Sequence, residues 1–143
     1  MSVISAKFDS SINPFDSWKS LSISLYMTLA GYAVLVGVPV ISTAWVNLLG
    51  FSEVQVGRVA GADLGGLSVG AVATSLLISS VSRRQIIILG ILIACISNAA
   101  CISIVNYESV LWLRVLAGFG SGLITATAVS CLGASSRPAL AFN

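Results

Sequence analysis

The chain is 143 residues long, 57% hydrophobic and 8% charged, with a mean hydropathy of +1.01 and a net charge of +2. An ordinary soluble domain carries about 25% charged residues, so this sequence cannot cover a water-facing surface and its solvent must be the lipid bilayer; the small positive balance makes no case for nucleic acid. With no histidine, and with Cys95, Cys101 and Cys131 each inside an apolar run, no acid–base or nucleophilic catalytic set can be assembled, no metal or cofactor is expected, and the thiols read as small hydrophobes.

Residues 1–20 are polar and mixed, with Lys7, Asp9, Asp16 and Lys19. The apolar run after them is too long for a signal peptide and lacks a small-residue cleavage site, so the segment reads as a short mobile tail. The first span is expected over 21–48. It is longer than a bilayer requires and should tilt or bend. Pro39 inside it cannot donate to the carbonyl of Leu35, which predicts a kink or local unwinding, in either a tolerated kink of a packed bundle or a flexible cavity-lining helix. Trp18 and Trp45 suit the two interfacial aromatic belts.

A tight turn leads into the second span, 54–78. Ser52 with Gln55 three residues on is a capping-box signature, and about 25 apolar or small residues follow, enough at ~1.5 Å each to cross a ~30 Å hydrocarbon core. Gly57, Gly61 and Gly65 recur every four residues, with Gly66 and Gly70 beside them. In lipid, small residues at this spacing let a second helix approach closely, so Gly57, Gly61 and Gly65 are expected at a helix contact. Asp63 sits in the middle of this helix, and Arg83 and Arg84 follow its end.

The third span, 86–105, is isoleucine-rich with Ser97 and Asn98 mid-run and reads as peripheral, with nothing chemical in it. The fourth, 110–132, carries Arg114 in its first turns and a second small-residue stripe, Gly118, Gly122 and Ala126. Residues 133–143 read as a turn and, from Pro138, the start of a truncated fifth helix. The fold class is therefore an all-α membrane protein with four transmembrane helices. Lys7, Lys19, Arg83, Arg84 and Arg137 fall on one side, and the turns at 47–52 and 106–109 contain no Lys or Arg, so the positive-inside rule places both termini in the cytoplasm of a multi-pass protein of the cell membrane.

Ser75 to Arg84, SLLISSVSRR, resembles the loop motif that the major facilitator superfamily carries between its second and third helices, G-x-L-x-D-R-x-G-R-R. Leu77, Arg83 and Arg84 match; Ser75, Ser79, Ser80 and Ser82 replace the glycines, the aspartate and the first arginine. The superfamily's fourth-helix motif, an arginine followed by spaced glycines, is better kept as Arg114, Gly118, Gly120 and Gly122. The resemblance extends over the whole chain and corresponds to the first four of the usual twelve helices. It implies the N-terminal portion of a secondary transporter of a small solute working by alternating access, coupled to protons or another ion, with the C-terminal helices of the same transporter as partners. In that family the loop motif clamps the two halves on the cytoplasmic side. Without the aspartate, Arg83 and Arg84 are left to cap helix C-termini through the helix dipole or to fix topology. The alternative is a non-transporting four-helix assembly or scaffold protein; a four-helix multidrug exporter fits less well, because the first span has no carboxylate.

A charge at the bilayer centre costs at least ~2.5–3.5 kcal/mol. Asp63 lies roughly 16 Å past its helix cap, near mid-bilayer, and Arg114 roughly 7 Å in from the same face. The pair reads either as a coupling or substrate-cavity site, with Asp63 binding a proton, an ion or a cationic solute and Arg114 as its counter-charge, or as a fixed ion pair locking the second helix to the fourth.

Overall fold

The computed structural model describes residues 13–136, apart from the side chains of residues 34 and 35. These residues form four long helices, α1 (Trp18–Leu49), α2 (Glu53–Leu77), α3 (Arg83–Ser103) and α4 (Tyr107–Gly133), preceded by a 3-10 turn at Pro14–Asp16. All four are long and apolar enough to cross a membrane.

Each helix begins on a side chain that accepts an otherwise orphaned backbone N–H. Ser17 takes that of Ser20, Ser52 that of Gln55, Ser82 that of Gln85 and Asn106 that of Glu108. In α2 the cap is reciprocal, since the Ser52 N–H donates to the Gln55 side chain at 2.9 Å, and the capping box predicted from the sequence forms. Free donors are costly near lipid, so these caps set where the spans can start. α1 ends at Gly50, whose φ of 68° is left-handed, and Phe51 N–H closes the turn on the Trp45 carbonyl at 3.2 Å; that backbone favours glycine. The local unwinding expected at Pro39 does not occur. α1 is continuous through it, Pro39 is exposed on its outer side, and the Pro39 carbonyl accepts from the Thr43 hydroxyl at 3.0 Å.

α4 is the central helix, and α2, α3 and, more lightly, α1 pack on it. Gly118 meets Asp63 and Leu67 of α2, and one turn later Gly122 meets Leu67 and Ala71. The numbers rise together, so α2 and α4 run parallel. α3 runs antiparallel to α4: a β-carbon on Gly90 would lie 2.7 Å from the Gly120 carbonyl oxygen, and one on Gly120 2.6 Å from that of Gly90. Side chains could not be placed at these crossings, so backbone meets backbone.

The expectation for Gly57, Gly61 and Gly65 is corrected. They are exposed, with no atom within 4 Å of where a β-carbon would stand, while Gly66 and Gly70 press on the α4 backbone at Val115 and Phe119. The reason is the carboxylate. Asp63, Gly66 and Gly70 share one face of α2 at i, i+3 and i+7. Burying Asp63 rotates that face inward and turns the other glycine stripe out.

Polarity is distributed inside out. Val36, Val40, Leu48, Leu76 and Ile102 are exposed, while Asp63, Arg114, Ser97, Ser121, Thr125 and Thr127 are buried, the pattern of a bundle whose surroundings are apolar. At one end Phe51, Val56, Val59 and Val110 form an apolar cluster, with Phe51 and Tyr107 edge to face at 5.7 Å. At the other end residues 13–17 are not the loose tail that the sequence suggests. Asn13 donates to the Ala134 carbonyl at 2.9 Å and Ser136 N–H donates to the Asp16 carboxylate at 2.7 Å. Lys7 and the helix start expected from Pro138 lie outside the described residues.

Candidate functional site

Asp63 and Arg114 are 4% and 3% exposed, so two ionisable groups are enclosed by helices that otherwise offer few polar partners. The burial follows from the fold just described. Gly118, one turn beyond Arg114 on the same face of α4, lets the α2 backbone settle against it at Asp63. Arg114 is thereby within electrostatic reach of the carboxylate.

The fixed ion pair, one of the two readings of these charges, is not formed. Among the described residues no basic nitrogen lies within 4.0 Å of the Asp63 carboxylate, and its Oδ1 is buried without a hydrogen-bond partner. Arg114 instead donates from Nη2 to Oδ1 of Asn98 on α3, and its own Nε is buried and unpaired. Both neighbouring helices bring their polar residue to the Arg114 turn of α4, since Gly66, one turn past Asp63, packs between Val115 and Phe119; the guanidinium is held by the Asn98 amide.

Asn98 is the functional candidate that sequence reasoning missed. Its Nδ2 donates to the Ala94 carbonyl one turn back at 2.7 Å, which leaves Oδ1 aimed at Arg114. A carboxamide in the middle of an isoleucine-rich span needs a partner, and that cost was the available signal. Two cavities meet at Asn98. One of about 330 Å³ lies between α1, α3 and α4 and is bordered by Tyr26, Cys95 and Ser121. The other, about 220 Å³, is bordered by Trp45, Cys101 and Arg114. Thr125 supplies a third buried, unpaired polar atom, Oγ1, facing Gly31 of α1.

Arg83 and Arg84 open α3 and so sit at the positive end of its own dipole. Arg83 is accommodated differently, with its guanidinium carbon 4.8 Å from the centre of the Phe15 ring. Arg84 is exposed. Cys95 is also exposed, and Cys101 and Cys131 are half-buried; all three thiols are free.

The model of the family described as "Sugar (and other) transporter" matches residues 7–141. No curated protein matches the chain, and no solved structure does.

Proposed function

The chain belongs to the sugar (and other) transporter family of the major facilitator superfamily, and on that footing we propose that it acts as a secondary transporter of a small solute by alternating access, driven by a proton gradient, with Asp63 as the proton-binding carboxylate. Membership in this family, together with four apolar helices, makes it a multi-pass membrane protein of solute transport. The coupling reading is carried by one observation, a carboxyl buried at mid-span whose Oδ1 has no hydrogen-bond partner among the described residues. Buried charge of this kind is expensive, and inside a membrane it marks a functional group.

In this reading Asp63 is ionised in one orientation of the transporter and protonated in the other. Arg114 supplies the positive potential that keeps the charged form accessible. The Gly66–Gly70 and Gly118–Gly122 contact allows α2 and α4 to slide against each other with little side-chain interlock. The basic end of the bundle, with Lys19, Arg83 and Arg84, faces the cytoplasm, and the plasma membrane is the site of action.

The test is transport by the protein in liposomes loaded with a pH-sensitive dye, offered a panel of monosaccharides under a pH gradient. A monosaccharide that drives proton entry supports the reading. Solute entry with no proton movement would remove the coupling, and no entry of any solute would favour a scaffold role instead.

A further inference from the structure

The cavity of about 220 Å³ beside Arg114 is lined by hydrogen-bond donors and apolar side chains. Ile41 and Trp45 of α1, Asn98, Cys101 and Ile102 of α3, and Arg114 of α4 border it. Arg114 is 3% exposed and makes one hydrogen bond among the described residues, from Nη2 to Oδ1 of Asn98, while its Nε is buried without a partner. A guanidinium carries five N–H donors and cannot lose its charge, so most of its donor capacity is unspent. On Asn98 the oxygen is taken by Arg114 and the amide nitrogen already donates to the Ala94 carbonyl. What remains on that side chain is a second N–H, again a donor. The Cys101 thiol is free and both donates and accepts only weakly.

We propose that this cavity binds a small monocarboxylate, with the carboxylate on Arg114 and a short apolar body against Ile41, Trp45 and Ile102. The proposal rests on the reading of the chain as a solute transporter and names a class of solute for it.

Each part of the ligand follows from the lining. A polyol brings hydroxyl donors, which meet no strong free acceptor here, whereas an ionised carboxylate is acceptor-only. Its two oxygens match the planar guanidinium fork, and charge-assisted bonds of that kind are roughly twice as strong as neutral ones. Among the described residues Arg114 is the one charged side chain on the lining, and Asp63 does not border it. A single negative charge therefore balances the site, and a dianion would carry an uncompensated charge into the membrane. A halide would leave the three apolar walls unfilled. The volume lies below the ~300–1,000 Å³ of drug-sized sites, which limits the body to a few carbons.

The cavity is also placed for entry. Trp45 lies near the end of α1, and Cys101 and Ile102 lie in the last turn of α3. It is therefore toward the end of the bundle opposite Lys19, Arg83 and Arg84.

Cys101 reports on occupancy without any transport. In protein carrying Cys95→Ser, reconstituted in liposomes with the same buffer on both sides, labelling of Cys101 by N-ethylmaleimide is followed with butyrate, and with butyramide as the uncharged control. A ligand of this size reaches a Kd on the order of 1 mM, so about 10 mM butyrate should slow labelling about tenfold. Butyramide should slow it little, and Cys131, which is not on the lining, should label at an unchanged rate in the same sample. Arg114→Lys keeps the charge but loses the fork, and should weaken protection about tenfold. Trp45 fluorescence in the protein with Trp18→Phe and Trp112→Phe, both exposed positions, gives a second titration that needs no labelling. No saturable response of either Cys101 or Trp45 up to about 100 mM butyrate overturns the site. So does equal protection by butyramide, equal protection of Cys131, or undiminished protection in Arg114→Lys. If butyrate protects Cys101 while no solute enters liposomes, the site stands and the transport reading falls. If monosaccharides drive proton entry while butyrate protects nothing, the transport reading stands and the site falls.

Discussion

The backbone of Asp63 lies directly against Gly118, so closely that any β-carbon on Gly118 would overlap the Asp63 carbonyl oxygen. The buried carboxylate and a close backbone-to-backbone helix crossing thus occupy the same point. Gly118→Leu should separate α2 from α4 and lower stability by about 1–3 kcal/mol through overpacking. Gly61→Leu should leave stability unchanged, because nothing lies within 4 Å of that position. Thermal unfolding of both variants in detergent decides it; equal loss at both would mean that the exposed stripe also packs.

Arg114 and Asn98 should prove energetically coupled. Removing Asn98 takes the acceptor from the buried Arg114 guanidinium, at a cost of about 1–3 kcal/mol. The double variant Asn98→Ala/Arg114→Ala should therefore be less destabilised than the sum of the singles by about 0.5–3 kcal/mol. Strict additivity would show that the bond contributes nothing.

Phe15 should anchor the N-terminal segment through Arg83. Phe15→Ala removes a ring lying 4.8 Å from the guanidinium carbon, worth about 0.5–1 kcal/mol at an exposed site. Faster amide exchange across residues 13–17, with α2 and α4 unaffected, is the expected result. Unchanged exchange would mean that the bonds of Asn13 and Asp16 hold the segment alone.

A cysteine placed at Asn106, in the turn between α3 and α4, should be labelled by an impermeant maleimide from outside the cell, in a background lacking Cys95, Cys101 and Cys131. One placed at Ser80 should be labelled only after the membrane is opened. The reverse pattern would invert the proposed orientation.

Much of this molecule is legible from its residues. Ser52 and Gln55 announce the start of α2, and composition announces the bilayer, because local caps and hydropathy do not depend on partners. Which face of α2 packs is not legible in the same way. In a bilayer both the lipid-facing and the packed faces of a helix accept apolar residues, so hydrophobic periodicity gives little sign of rotation, and two glycine stripes of similar spacing compete. Asp63 held the answer, since the buried stripe is the one that shares its face. The partner of Arg114 was hidden for a related reason. Opposite charges on neighbouring helices suggest an ion pair, but the guanidinium is held by the Asn98 amide of α3. Only the packing brings that amide to Arg114.

The central claim is that the unpaired Asp63 carboxylate binds the coupling proton. Asp63→Asn has nearly the same shape, breaks no hydrogen bond seen among the described residues, and should insert and fold with wild-type stability. In liposomes carrying an entrapped pH dye, monosaccharide-driven proton entry should vanish in this variant while solute exchange down its own gradient persists. Asp63→Asn with full proton entry would contradict the account.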